Sequence, residues 1–294
     1  MKPPKFNYFA PDSIDSALAL ISEHGADARF LAGGQSLVPM MNFRVAAPSA
    51  LIDLNGIAAL RGIRVDENGH LHIGAMARTR EIEMDSTIAA ANPLLHAAAR
   101  SIAHIQIRNR GTIGGSLAHA DPAAELPGIA LVCDAEINVV GPGGTRGIAA
   151  KDFFEGIFST ALEDGEMISE IVFPAWPADR RWAFQEISRR EGDFAMVGIA
   201  GWFDLDGTGK ISAAGLAAIG AGDTPLRLPS AEAALTGQTP GDTVFTDAAT
   251  AAIGDLQPGS DIHASAEYRR EVGGVLVERV LETAWRRTTL EATS

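Results

Sequence analysis

The chain is poor in cysteine. Cys133 is the only one in 294 residues. That excludes an intramolecular disulfide and a Cys-rich zinc site. It also excludes an iron–sulfur cluster held by this chain alone, which would need about four thiolates. A single unpaired thiol suits a reducing compartment. Cys133 lies in the apolar run 129-IALVCDA-135, so it reads as a small core residue rather than a nucleophile. Positive charge is scarce as well: 24 Lys plus Arg stand against 37 Asp plus Glu, for a net charge of −13. Such a surface repels polyanions and disfavours nucleic acid as a partner. Long apolar runs are missing. The longest, 195-AMVGIAGWF-203, falls far short of the ~20 residues that span a bilayer. MKPPKFNYFAPDS at the start has no apolar signal-peptide core. The expectation is a soluble, cytoplasmic protein with no membrane span.

Familiar catalytic and nucleotide motifs are also absent. No Gly-x-Gly-x-x-Gly opens a helix after a strand, and there is no P-loop, His-Glu-x-x-His or Gly-x-Ser-x-Gly elbow. The seven histidines show no metal-ligand spacing, so no metal site is expected. His70 and His72 share a strand face, but no third ligand is evident in their hairpin. The run 204-DLDGTGK-210 resembles the start of an EF-hand loop, yet lacks its later ligands and sits between strands. It reads as a hairpin turn. No nucleophile or acid–base pair is visible, so no catalytic residue is assigned.

What is present is glycine, 31 residues of it, and an alternation of helix and strand patterns. Ile14, Ala17, Leu18 and Ile21 predict a helix capped by Asp12 or Ser13 and stopped at Gly25. Strands are predicted at 29–32, 51–54, 63–65 and 71–75, the last two as a hairpin about Asn68-Gly69. Helices are predicted from Thr79 to about Ala91, at 93–103 and near 123–134, and strands at 136–141 and 167–174. The stretch 104–127 has no periodicity and reads as a long loop, of the kind that carries function. Pro and charge in 175-AWPADRR-181 mark a boundary. Beyond it, consecutive strands (183–188, 196–205, 211–219) precede helices at about 230–236, 247–255 and 265–284. That order predicts an α+β domain with an antiparallel sheet. The expected division is 1–176, with subdomains of about 1–56 and 57–176, then 177–294.

Two glycine turns stand out: 32-AGGQS-36 after a buried strand, and 111-GTIGGS-116 inside the long loop. Glycine admits left-handed backbone and removes the Cβ that would block a ligand. Successive N–H groups in such turns form a donor nest for an anion, and Ser36, Thr112 and Ser116 add hydroxyls. Two nests suit a pyrophosphate.

These turns, in this order, resemble those of the FAD-binding medium subunit of molybdenum hydroxylases, the family of the carbon monoxide dehydrogenase medium chain and the xanthine dehydrogenase flavin domain. The resemblance extends through 51-LIDLNGI-57, 104-HIQIRNRGTIGG-115, 118-AHADPAAELP-127, 192-GDFAMV-197, 218-AIGAGDTPLRLPSAEAALTG-237 and 261-DIHASAEYRR-270, essentially the whole chain. It implies an α+β fold overall: an N-terminal FAD-binding domain of two α/β subdomains, with a xanthine dehydrogenase/vanillyl-alcohol-oxidase-like flavin fold, then a C-terminal α+β domain.

The resemblance also implies site residues. Ala32, Gly33, Gly34, Gln35 and Ser36 match one FAD-binding loop, and Gly111, Thr112, Ile113, Gly114 and Gly115 match the other. Glu125 falls near the flavin's polyol chain, where a carboxylate can accept hydrogen bonds from hydroxyls; a helix N-terminal carboxylate is the alternative. Leu162 borders the isoalloxazine through its main chain. Phe194 lies near one flavin face, or else is ordinary core. A bulky residue at Gly34 or Gly114 is expected to displace the cofactor and spare the fold. The 268-YRR-270 signature is expected to be structural.

By the same resemblance, FAD is bound non-covalently. A large partner carries the molybdenum cofactor, a small partner carries 2Fe-2S clusters, and electrons pass through FAD to an external acceptor in a dimer of heterotrimers. A self-contained FAD-dependent oxidoreductase and a non-redox nucleotide-binding protein are the competing readings.

Overall fold

The computed structural model describes residues 2–287. Ser13 caps the first helix, Ile14–His24, and Gly25 ends it at φ 68°, where only glycine is unstrained. Ala17 and Ile21 turn that helix onto a three-stranded sheet of β1 (Asn7–Phe9), β2 (Ala28–Leu31) and β3 (Ala50–Asp53), ordered β1-β3-β2 and wholly parallel. Because β2 and β3 run the same way, the segments that leave them, 32–36 and Asn55, emerge side by side at one edge. That edge, outside the carboxyl ends of parallel strands, is where open α/β sheets place ligands.

The second lobe is built on a five-stranded antiparallel sheet, β4 (Ile63–Val65), β5 (Leu71–Gly74), β6 (Glu136–Gly141), β7 (Gly144–Ala149) and, later in the chain, β10 (Met167–Phe173). Its order is β4-β5-β10-β6-β7. A small hairpin, β8 (Phe154–Gly156) with β9 (Ser159–Thr160), precedes β10. The predicted helix 79–91 is two helices, Thr79–Met84 and Ser86–Ala91. Asp85 breaks the run, and its carboxylate accepts from the Thr87 and Ile88 N–H groups to start the second helix. The predicted loop 104–127 is also partly helical, with Ile105–Arg108 and Ile113–His119 inside it.

The third lobe is the antiparallel sheet β11 (Arg181–Ile187), β12 (Val197–Leu205), β13 (Ile211–Ile219) and β14 (Leu226–Arg227), in that order. One face packs on the helices Pro229–Leu235, Asp242–Asp255 and Ala266–Arg286. The other face carries Trp182, Phe184, Trp202 and Ala217 into the core of the second lobe. The Trp202 indole N–H donates to the Val132 carbonyl at 2.7 Å. The residues 206–210 form the β12–β13 turn, where the Asp206 carboxylate accepts from the N–H groups of Thr208 and Lys210. His72 lies between Glu170 (3.0 Å) and Asp66 (3.4 Å). Among the described residues no group of three ligating side chains is placed to hold a metal ion, and no helix is long and apolar enough to cross a membrane.

Arg269, from the 268-YRR-270 signature, is buried. It donates to the carbonyls of Met196 and Gly220 and pairs with Asp261 at 2.7 Å. The Gly220 N–H in turn donates to the Pro122 carbonyl at 2.8 Å, so one guanidinium ties three separated segments to the second lobe. Burial alone would raise the Asp261 carboxyl; the N–H groups of Ala264 and His263 and the Arg269 charge outweigh it and hold it at about 2. Removing Arg269 orphans buried carbonyls, each worth about 1–3 kcal/mol. Arg269→Ala should therefore lower the thermal unfolding midpoint by several degrees, and Arg269→Lys should not restore it, because an ammonium cannot reproduce the fork.

Candidate functional site

The two glycine turns meet. A Cβ on Gly33 would collide with the Arg110 carbonyl and stand 2.8 Å from the Gly111 Cα. Gly33 is thus required by close approach of one loop to the other. A clamp of side chains holds this junction. The Asn55 side-chain amide donates to the Ala32 carbonyl at 2.9 Å. Arg78 donates from one arm to the Asn55 side-chain oxygen and from the other to the Arg110 carbonyl. Burial, and then the charges of Arg61 and Arg110, lower the Arg78 guanidinium from its usual value, against the opposing charges of Glu81 and Asp53.

The loops differ in their free donors. In the first, the N–H groups of Gly33, Gly34, Gln35, Ser36 and Leu37 have no intramolecular acceptor among the described residues. Gly34 sits at φ 73°, and the Gln35 amide folds back onto the Gly33 carbonyl at 3.0 Å. This row is a ready anion site. In the second, the donors are spent: Gly111 on Ile107, Ile113 on Ala77, Gly114 on Ala75, Gly115 on the Thr112 hydroxyl and Ser116 on the Thr112 carbonyl. Among the described residues only the Thr112 N–H is without an acceptor there. The expectation of two equivalent nests is corrected. Residues 111–115 are sewn like a strand to the segment 75–79, and the Gly114 position is filled by Ala75, whose Cβ would be 2.6 Å from an added methyl. Thr112 is the buried cap of the helix Ile113–His119.

Around the junction lies a cavity of about 980 Å³, at the large end of small-molecule and cofactor sites. Ala32, Gly33, Gly34, Gln35, Ser36, Gly111, Thr112, Gly114, Gly115, Glu125, Leu162 and Phe194 all line it. Ile113 does not. Its side chain is in the core of the second lobe. Sequence reasoning missed other wall residues, among them Met40, Val45, His119 and Phe158. The His119 and Phe158 rings lie 4.9 Å apart. Leu162 follows the β8–β9 hairpin. Phe194 comes from the third lobe, on a loop that rests Gly192 against the His104 imidazole. It is 66 % exposed, which rules out the core-packing alternative.

Glu125 opens the fully buried helix Glu125–Val132 and is itself only 6 % exposed. Burial, then the charge of Glu186 on β11, raise its carboxyl to about 8. The hydrogen bond from its own N–H, at the start of the helix, pulls the other way. Burial raises Glu186 to about 7. The two acids come from different lobes and no local pattern connects them, which is why the sequence offered no such pair.

The comparisons with known proteins agree with this geometry. The model for the FAD binding domain in molybdopterin dehydrogenase matches residues 4–176, and that for the CO dehydrogenase flavoprotein C-terminal domain matches 182–284. The chain belongs to this family of FAD-binding subunits of molybdenum hydroxylases. It is 43 % identical to the 6-hydroxypseudooxynicotine dehydrogenase complex subunit alpha of Paenarthrobacter nicotinovorans, over 98 % of this chain and 97 % of that one. It is 39 % identical to the carbon monoxide dehydrogenase medium chain of Hydrogenophaga pseudoflava, over 98 % and 99 %. Among solved structures, carbon monoxide dehydrogenase from Hydrogenophaga pseudoflava superposes with a TM-score of 0.94 at 41 % identity, covering 97 % of this chain and 99 % of that one. Quinoline 2-oxidoreductase from Pseudomonas putida 86 gives 0.92 at 35 %, covering both chains fully.

The two conspicuous glycines should respond differently to substitution. A side chain at Gly34 meets only the Leu31 and Val38 side chains, at 3.3 Å, and adds about 1–2 kcal/mol of left-handed strain. Gly34→Val should lose flavin while the protein remains folded. Gly114→Val must displace the Ala75 backbone, so it should lose flavin and lower the unfolding midpoint together. Flavin content and thermal unfolding of both variants check this.

Proposed function

We propose that this chain is the FAD-carrying electron-transfer subunit of a heterotrimeric molybdenum hydroxylase. On this reading it receives electrons from a 2Fe-2S cluster of a small partner, while a large partner holds the molybdenum cofactor and oxidises the organic substrate. Electrons leave through FAD to an external acceptor. The observation that carries the proposal is the row of free N–H groups at Gly33–Leu37, facing the large cavity at the carboxyl end of β2. FAD supplies the link between one-electron and two-electron partners when bound.

The residues present suit that cofactor. The Gly33–Leu37 N–H groups hold the diphosphate non-covalently, with the Thr112 N–H and the Ser36 and Ser116 hydroxyls beside them. Glu125 faces the polyol chain, and Leu162 and Phe194 cover the ring. Cys133 is buried in the core and its thiol is pushed up to about 12, by burial first. It is no site for covalent attachment. We also infer the division into 1–176 and 177–294, assembly as a dimer of heterotrimers and a cytoplasmic location. The chain's relatives carry names for unrelated substrates, carbon monoxide, caffeine, glyceraldehyde and nicotine among them. That supports a chain that handles electrons and leaves substrate choice to its partner.

Denaturing the purified complex should release FAD in amounts matching this chain, with iron and molybdenum carried by co-purifying chains. FMN, no flavin, or an isolated chain that oxidises an organic substrate by itself would contradict the proposal. Phe194→Ala should raise solvent access to the flavin and reduce its retention, and Phe194→Tyr should retain it, because packing against the ring is conserved. Unchanged flavin content and potential in the Ala variant would remove Phe194 from the site.

A further inference from the structure

The clamp at the loop junction has a second tier, set back from the cavity. Tyr8, on the edge strand β1, is more than half exposed, yet its hydroxyl is committed: it donates to Asp53 Oδ2 at 2.5 Å. Asp53 ends β3. Its other oxygen, Oδ1, accepts twice from Asn55, from the backbone N–H at 2.9 Å and from the side-chain amide. A carboxylate is an acceptor only, and a primary amide carries donors at one end and an acceptor at the other. Asp53 therefore decides which way round the Asn55 amide sits. One Nδ2 hydrogen is spent on Asp53 and the other on the Ala32 carbonyl at 2.9 Å, which leaves Oδ1 for Arg78. The Arg61 guanidinium donates to the Asn55 carbonyl at 3.0 Å. The Ala32 carbonyl and the Gly33 N–H belong to one planar peptide and point in opposite directions. Fixing that carbonyl on Asn55 fixes the direction of the first free donor of the row. The next peptide is held in the same way: the Gln35 amide donates to the Gly33 carbonyl at 3.0 Å and so aims the Gly34 N–H.

We propose that Tyr8 and Asp53 are positioning residues for the diphosphate of the bound flavin nucleotide, acting through Asn55 on the Ala32–Gly33 peptide. None of the three lines the cavity. The inference rests on the reading of that cavity as the FAD site, and it adds the residues that aim its donors. The hydrogen bond to Asp53, then partial burial and the Asp53 charge, raise the Tyr8 phenol above its ordinary value, so the hydroxyl remains a donor throughout the neutral range. Without it, Asp53 Oδ2 turns to water and the carboxylate is free to rotate away from Asn55. The Asn55 amide is then free to flip and present its oxygen to the Ala32 carbonyl. Two facing acceptors repel, so the Ala32–Gly33 peptide turns and carries the Gly33 N–H off its line. Affinity for a diphosphate falls, while the cavity walls at Leu162 and Phe194, which make no contact with this chain of bonds, are unchanged.

The test compares ligands that carry the diphosphate with one that lacks it, on the deflavinated full chain. FAD and ADP probe the row of donors, and riboflavin probes the cavity without it. Tyr8→Phe removes one exposed hydroxyl and should keep the fold. It should weaken FAD and ADP by about two- to tenfold, the scale of one hydrogen bond, and leave riboflavin unchanged. Asp53→Asn, which offers the Asn55 amide a donor as well as an acceptor, should weaken the same two ligands at least as much. In an Asn55→Ala background Tyr8→Phe should cost nothing further, because the path is already cut. A merely structural residue would lower the affinity for all three ligands together, and its effect would persist in that background. A further readout needs no ligand: amide NMR relaxation of Gly33 and Gly34 in the unliganded chain should show greater motion in Tyr8→Phe, with Ile113 and Gly114 unchanged. Equal losses for ADP and riboflavin, unchanged FAD and ADP affinity in Tyr8→Phe, a full effect in the Asn55→Ala background, or an unchanged Gly33 amide overturns the proposal. If the wild-type chain binds neither FAD nor ADP, the flavin reading fails, and the Gly33 amide alone decides whether Tyr8 positions the loop.

Discussion

The site depends on the contact between Gly33 and the Arg110–Gly111 backbone, and on the clamp that maintains it. Glycine is needed there because no side chain fits between the loops. The Asn55 amide and the two arms of Arg78 then span the gap from Ala32 to Arg110. A parallel sheet and an antiparallel sheet, each with its own core, are joined at that point, and the cavity opens along the seam. Moving either loop would both widen the seam and release the Arg78 guanidinium into a partly buried position without its acceptors, a costly state for a charge.

Joining the loops assigns them separate duties. The loop after β2 keeps its N–H groups unspent and faces the cavity. The Gly111–Gly115 loop gives all of its own but that of Thr112 to Ile107, Ala77, Ala75 and the Thr112 hydroxyl, and so becomes the rigid wall against which the first is held. The third lobe is part of the same construction. Its sheet packs on the Glu125–Val132 helix through Trp202, its Gly192–Phe194 loop reaches the cavity, and Arg269 fixes the turns behind both. The environment of Glu125 is therefore set by both halves of the chain.

Much of this was legible in the sequence because periodicity and punctuation are local signals. The Ser13-capped first helix, the Asn68-Gly69 hairpin and the three long strands of the last lobe lie where their patterns predicted. Misses occurred where a single side chain or a distant partner decides. Asp85 splits one helix into two by capping the second half. The short helices within 104–127 have too few turns for a period to emerge, and they are stabilised by pairing with residues 75–79 and by the Arg108–Glu83 ion pair at 2.8 Å. β7 carries mostly exposed residues and is read only from its ladder to β6. The glycine turns marked the cavity. Which N–H groups remain free is a property of the assembled lobes.

The most direct test of the account is a structure of the FAD-loaded complex at a resolution that places the diphosphate oxygens. The account predicts those oxygens within hydrogen-bonding distance of the Gly33–Leu37 N–H groups, with the Ile113, Gly114 and Gly115 N–H groups still engaged by Ala77, Ala75 and Thr112. A diphosphate seated on the second loop instead, or a cavity that binds its ligand away from the junction, would contradict it.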